Sequence, residues 1–361
     1  MTGRLPGYGR LPGSGRVLVT GGVGFIGSRV VRALRGEGAE VVVLDLKAPE
    51  EPLDGVRYLR GDVRDPAAYE AALGGVDAVS HQAAKVGLGV DLQDLPDYAD
   101  HNDRGTAVLL AAMHRARVRR LVLASSMVVY GEGAYSCSAH GEVKPASRKL
   151  EDLQAGRFEP TCPECGAPLE PGMVGEEAVL DPRNAYAASK VAQEHLAAAW
   201  TIGGGGSVAA LRYHNVYGPG LPRDTPYAGV AAIFLSSLAS GEPPQVYEDG
   251  RQRRDFVHVD DVARANVAAL RAVADIEGLR AFNVGSGTPR TVGDMARELS
   301  RAMHGPAPEV TGQFRLGDVR HVTASSRRAR SELDWRPEVE FTAGMRALAN
   351  PATSGSRAGA R

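Results

Sequence analysis

Tyr186 and Lys190 stand four positions apart in Asn184-Ala-Tyr-Ala-Ala-Ser-Lys190, a stretch that reads as the start of a helix. On an α-helix that spacing turns the phenol and the ammonium toward one side. A lysine charge near a tyrosine favours the phenolate, lowering a reference pKa of about 10 toward working pH. Such a phenol can serve as acid and base for a sugar or alcohol hydroxyl. A surface tyrosine beside a solvated lysine has the same spacing, so the surrounding elements must decide.

Those elements alternate. Arg16–Thr20 is a short apolar run, followed by Gly21-Gly-Val-Gly24-Phe-Ile-Gly27 and an amphipathic segment through Arg35. Strand, glycine turn and helix in that order are the context of a dinucleotide fingerprint. Gly21 permits the tight turn, Gly24 lets a pyrophosphate approach the backbone, and Gly27 lets helix and strand pack closely. Phe25 and Ile26 open the helix whose N–H groups and dipole would face the phosphates. The next strand, Glu40–Asp45, ends on an acid that would accept bonds from a free adenosine ribose and repel a 2′-phosphate, favouring NAD over NADP. Lys47 works slightly against that preference.

A strand over 56–62 ends at Asp62-Val63, and another over 76–84 carries small residues, Ala83 and Ala84, that would let a cofactor lie close. Residues 97–117 read as one long helix bearing Asn102, and Arg120–Ser126 as a buried strand ending in hydroxyls. The alternation predicts an α/β fold with a doubly wound parallel sheet. Ligands of such sheets gather outside the carboxyl ends of the strands, where Ser126 stands.

Composition excludes several other classes. Hydrophobic content is 43%, charged content 24% and net charge −1 over 361 residues, so nothing electrostatic points to nucleic acid or an anionic membrane. No apolar run reaches the ~18 residues of a membrane span. Residues 1–15 and 346–361 read as a flexible leader and tail. Three cysteines, Cys137, Cys162 and Cys165, are too few for a disulfide scaffold, and a cytoplasmic protein is expected.

Five motifs in order carry a resemblance. Thr20-Gly-Gly-Val-Gly-Phe-Ile-Gly27, Ser125-Ser-Met-Val-Val-Tyr-Gly131, Tyr186-x-x-x-Lys190, Leu211-Arg-Tyr-His-Asn-Val-Tyr-Gly-Pro219 and Arg254-Asp-Phe-Val-His-Val-Asp-Asp261 resemble the extended short-chain dehydrogenase/reductases that modify nucleotide sugars. The GxxGxxG spacing is also typical of that group. The resemblance spans about Arg16 to Met345. It implies a Rossmann domain over 16–211 that binds NAD, and a smaller lobe, mainly 212–345, that binds the nucleoside diphosphate, with 253–282 returning to the first domain.

The resemblance further implies a catalytic trio of Ser126, Tyr186 and Lys190. It places adenine near Asp62 and Val63, the cofactor near Asn102 and Tyr213, and the sugar diphosphate near Asn215, Arg254 and Arg315. It also implies a homodimer formed through the helices over 97–117 and 184–202. Details after Asn215, and a large insert before Tyr186, are more similar to dTDP-L-rhamnose 4-epimerase-type enzymes than to UDP-galactose 4-epimerases.

One departure is informative. Sugar 4,6-dehydratases of this group place Thr-Asp-Glu where this chain has Ser126-Met127-Val128. Met127 and Val128 cannot carry a proton, so C5–C6 elimination lacks its usual acid and base. An NAD-dependent 4-epimerase is therefore expected. The alternatives are a dehydratase or reductase of the same family, and a catalytically inactive NAD-binding regulator.

The insert over 132–176 holds Cys137-Ser-Ala-His140 and Cys162-Pro-Glu-Cys165. Two short knuckles of Cys and His have the spacing of metal ligands, and Cys₃His suits tetrahedral zinc in a closed, structural site. The alternatives are a loop of reduced thiols and a partly lost metal site. Cys162 and Cys165 do not open a helix after a strand, which argues against a redox pair. Next to the active-site strand, the insert is expected to cover the sugar pocket as a lid.

Overall fold

The computed structural model describes residues 15–87, 91–222 and 229–350. Nearly all of the expected leader, and the tail beyond Asn350, lie outside these residues. Seven strands form one sheet: β1 (Arg16–Thr20), β2 (Glu40–Asp45), β3 (Val56–Arg60), β4 (Ala78–His81), β5 (Arg120–Ser126), β6 (Ser207–Tyr213) and β7 (Leu279–Val284). Their order is β7-β6-β5-β4-β1-β2-β3, and every neighbouring pair is parallel. The strand order reverses between β1 and β4, and the crevice outside their carboxyl ends is where such sheets take ligands.

Parallel strands buried on both faces read as unbroken apolar runs. In β1, Val17 and Val19 enter the core under helices α1 (Phe25–Gly36) and α4 (Val259–Ala272). Leu18 enters the opposite core, under α2 (Gly105–Ala116) and α3 (Ala185–Ile202). Alternation along the strand thus feeds two helical layers from one short sequence. Outside the sheet, helices Val230–Ala239, Val292–Met303 and Phe341–Ala349 enclose a separate core of Leu235, Phe256, Leu299 and Met345. Strand Phe256–His258 of that lobe pairs with Asn215–Tyr217, and α4 then returns to pack on α1.

Two expectations change. The long helix over 97–117 is a turn of α-helix at Leu95–Tyr98, a π-turn at Ala99–Arg104, and then α2. The wider turn accommodates an extra residue and places Asn102 at full burial. The tail begins later than residue 346, because Met345 and Leu348 bury one face of a helix that runs to Ala349.

The glycine turn depends on missing side chains. Gly21 has φ +66°, and a Cβ there would lie 2.7 Å from the Ala83 nitrogen. A Cβ on Gly27 would collide with the Gly21 carbonyl. Gly27→Ala is expected to cost several kcal/mol and to leave purified protein short of NAD, as checked by denaturant unfolding and by absorbance of the extracted cofactor.

Candidate active site

Helix α3 starts where Asn184 caps it, its side chain accepting from Ala187 N at 2.8 Å. That cap sets the phase of the helix. Tyr186 is half-buried in the first turn and Lys190, one turn on, is 3% exposed. The Lys190 ammonium donates to Ala124 O of β5 at 2.8 Å and lies 5.9 Å from the Tyr186 ring centre. Ser126, at the carboxyl end of β5, hydrogen-bonds the Tyr186 phenol. Sheet and helix therefore bring the expected trio together from positions sixty residues apart.

The electrostatic expectation for this pair is corrected. Burial pushes the Tyr186 phenol up to about 12, with only the Ser126 bond acting against it. Burial also pulls the Lys190 ammonium down to about 8, opposed by the charges of Glu194 and Asp103. The lysine has lost water and points at a carbonyl, so it does not by itself turn the phenol into a phenolate.

Behind the trio stands a buried ion pair that sequence reading missed. Arg212 of β6 donates to both oxygens of Glu194 on α3, at 2.9 and 2.7 Å. Ser125 Oγ donates to the same carboxylate at 2.5 Å. Arg212 also reaches the Tyr130 hydroxyl at 2.9 Å, which in turn donates to Asn283 of β7 at 2.7 Å. These bonds lock the ends of β5, β6 and β7 to α3. The available signal was Glu194 four residues after Lys190, on the same helical face.

Most of the expected cofactor residues stand at or just beyond the carboxyl ends of β1 to β4. Asp45 accepts from Val23 N and Lys47 N, both at 3.0 Å, which fixes its carboxylate beside the glycine turn. An adjoining cleft of about 450 Å³ is lined by Gly22, Val23, Arg32, Lys47 and Tyr58. Phe25 approaches the loop at Gly220, and Ile26 packs on the core under α1. Arg64 holds the Asp62 carboxyl at about 2 through hydrogen bonds, and Val63 packs against Gly105. Ala83 and Ala84, half-buried, follow β4 beside Gly21 and Gly24.

Asn102 makes three bonds, accepting from Lys85 N at 2.7 Å and donating to Lys85 O and Ser189 Oγ at 3.0 and 2.9 Å. Ser189 Oγ donates to Tyr186 O, so Asn102 is tied through Ser189 to the helical turn that carries Tyr186. The Tyr213 hydroxyl donates to Gln82 at 3.1 Å and accepts from Asn266 at 2.7 Å.

On the lobe side, the Asn215 carbonyl oxygen is buried with no hydrogen-bond partner among the described residues. Arg254 is half-buried, and its guanidinium donates to the carbonyls of Arg253, Val319 and Arg320, each at 2.8 Å. Arg315 is exposed, its guanidinium 5.4 Å over the Tyr247 ring. Both arginines act on the Asp318 carboxyl, which burial raises.

Away from the trio, Cys137, His140, Cys162 and Cys165 meet, their ligand atoms all within 4.8 Å of one another. Three strands of the insert, Tyr135–Cys137, Gly141–Val143 and Glu170–Pro171, form a small antiparallel sheet there. The expected lid is corrected in one respect: the insert is fastened to residues 319–325 by backbone bonds at Gly133, Val174 and Ser325, and is not hinged free.

A profile of the NAD dependent epimerase/dehydratase family matches residues 17–151 and 160–285. The chain belongs to that family. It is 34% identical over 347 residues to the dTDP-L-rhamnose 4-epimerase of Burkholderia thailandensis, covering 91% of this chain and 92% of that one. The dTDP-glucose 4,6-dehydratase of Streptomyces niveus is 30% identical, over 91% of this chain and 90% of its own. Among solved structures, the UDP-glucose 4-epimerase of Thermus thermophilus in complex with NAD superposes with a TM-score of 0.74 at 32% identity, covering 94% and 99% of the two chains.

Met127–Tyr130 form a short 3₁₀ turn capped by Ser126, whose hydroxyl accepts from Val128 N at 3.4 Å. Met127 and Val128 are half-buried beside the trio and offer no proton.

Lys190 costs the fold stability. Its pKa is depressed, so the penalty for burying the ammonium is full below about pH 8 and fades as pH rises toward the ordinary lysine range. Lys190→Met is expected to abolish turnover yet raise stability at neutral pH by about 2 kcal/mol, after allowing for the lost carbonyl bond. Denaturant melts across pH check this, and the gain should shrink as pH rises above 8.

Proposed function

We propose that this protein is an NAD-dependent nucleotide-sugar 4-epimerase acting on a dTDP- or UDP-linked hexose or deoxyhexose. One observation carries the reading. A Ser126–Tyr186–Lys190 trio sits at the carboxyl end of β5, and the first two positions of the turn beside it carry the apolar side chains of Met127 and Val128.

The residues at the crevice fit NAD. The turn at Gly21 to Gly27 leaves backbone room, and Asp45 stands where a free ribose would be held. NAD, when bound, supplies a hydride acceptor and a positively charged ring. That charge would lower the phenol's pKa, the shift that Lys190 alone does not produce. Tyr186 would then take the proton of the sugar 4-hydroxyl, with Ser126 bonded to the same oxygen. With the C4 hydride accepted and later returned by the cofactor, the 4-keto sugar would turn in the pocket, and Tyr186 would give the proton back to its oxygen. Net oxidation is zero.

Asn215 and Arg254 are proposed to meet the sugar diphosphate. The first has an unpartnered side-chain amide oxygen, and the guanidinium of the second is hydrogen-bonded to carbonyl oxygens rather than to a carboxylate. Arg315 would complete the clamp. A zinc ion in the Cys/His cluster is proposed as the second, structural cofactor. A homodimer is proposed through α2 and α3, whose exposed faces carry small residues, Ala107, Ala111, Ala188 and Ala199. Among the described residues no helix is long and apolar enough to cross a membrane; a cytoplasmic setting is proposed.

The kinship with a 4,6-dehydratase keeps elimination as the second reading, and the intact trio argues against an inactive regulator. Incubation with a panel of dTDP-, UDP- and GDP-sugars, followed by NMR, should show interconversion of 4-epimers without loss of water. No solvent deuterium should enter carbon. Deuterium in the product, or a lost water, would replace the epimerase reading with elimination chemistry. Tyr186→Phe should lower turnover by about 10²–10⁴-fold with NAD still bound.

A further inference from the structure

We propose that Cys137, His140, Cys162 and Cys165 form a closed zinc site whose task is to hold the substrate-side Arg254 in position. The inference rests on the nucleotide-sugar reading for its ligand, and on its own geometry for the metal.

A tetrahedral zinc ion with Zn–S of about 2.3 Å and Zn–N of about 2.0–2.1 Å requires sulfur pairs about 3.8 Å apart and sulfur–nitrogen pairs about 3.5 Å apart. Cys137 Sγ and Cys165 Sγ are 3.7 Å apart. His140 Nδ1 lies 3.6 Å from Cys137 Sγ and 3.5 Å from Cys162 Sγ. Three of the six edges thus match those of a zinc tetrahedron, and all four ligand atoms lie within 4.8 Å of one another. The outer nitrogen of His140 faces the Glu164 carboxylate at 3.6 Å, the kind of partner that orients a ligating imidazole. Four protein ligands leave no open position, so the site is structural. Among the described residues its apolar support is a cluster of Tyr135, Cys137, Cys162 and Leu169, too small to order the insert alone.

The residues next to these ligands grip residues 320–321. Tyr135, two positions before Cys137, accepts from His321 N at 3.1 Å. Glu159, three before Cys162, bonds His321 Nε2 at 2.8 Å and Arg320 at 2.5 Å. Arg320 is fully buried and also pairs with Glu248 at 2.7 Å. The same segment offers the carbonyls of Val319 and Arg320 to the Arg254 guanidinium. A path therefore runs from Cys162 along three residues of chain to Glu159, and from there by direct contacts through Arg320 to the guanidinium proposed to bind phosphate. Glu159 is a positioning residue in that chain.

The test uses the full-length protein purified without chelator, its Cys165→Ser and Glu159→Gln variants, elemental analysis, and calorimetry with dTDP and UDP on the NAD-loaded forms. Wild type should carry one zinc per chain. Cys165→Ser should lose most of it and bind the better nucleotide at least about tenfold more weakly, with NAD content kept. Glu159→Gln should keep zinc and still weaken that binding by about tenfold. Wild type without zinc overturns the metal site. Zinc present, with Glu159→Gln binding as wild type does, overturns the coupling. Wild type that carries zinc but binds neither nucleotide overturns the nucleotide-sugar reading and the coupling, and leaves the metal site standing.

Discussion

One buried charge organises the active half of the molecule. The Lys190 ammonium sits in a nearly water-free position and donates to a strand carbonyl, an arrangement that lowers its own pKa. Isolated ions are not tolerated at such depth unless other groups compensate. Here the compensation is the Ala124 carbonyl and the acids Glu194 and Asp103. Glu194 is in turn neutralised by Arg212 and bonded by Ser125. The ends of three neighbouring strands and helix α3 are thereby fixed by one polar network, which is what the proposed constellation of reacting groups would require.

The second organising network lies across the crevice and is also ionic. Arg320, wholly buried, is shared among Glu159, Glu248 and Asp249, and Arg148 pairs with Glu248 as well. Buried pairs of this kind contribute little net stability and much geometric definition when every partner is satisfied. They join the insert to residues 248–249 and 320, outside the seven-stranded sheet. Its proposed metal would order a stretch that has almost no core of its own.

Much of the frame was readable because its physics is local. Strands β1, β2 and β5 are continuous apolar runs, as buried parallel strands must be, and the structure keeps their sequence-derived bounds. The glycine turn was readable because only glycine fits against Ala83 and Gly21. The π-turn at Ala99–Arg104 was not, since its residues are compatible with ordinary helix and the distortion comes from packing Asn102 between Lys85 and Ser189. The Glu194–Arg212 pair was hidden because the partners lie on different elements, and charge at one position does not reveal whether it is solvated or paired.

By itself the sequence determined which residues could react: a tyrosine and lysine one helical turn apart, a serine at a strand end, a glycine fingerprint, and four metal-type ligands in two knuckles. Spacing along a helix or strand is a local geometric fact, so types and positions were enough. Tertiary structure decided what those residues feel. Burial, which no spacing encodes, raises the Tyr186 phenol and depresses Lys190, reversing the simple expectation that the lysine alone would ionise the tyrosine. Only the folded chain brings Cys137 and His140 to tetrahedral distances from Cys162 and Cys165 and ties that cluster to Arg320, because the contacts join elements far apart in the chain.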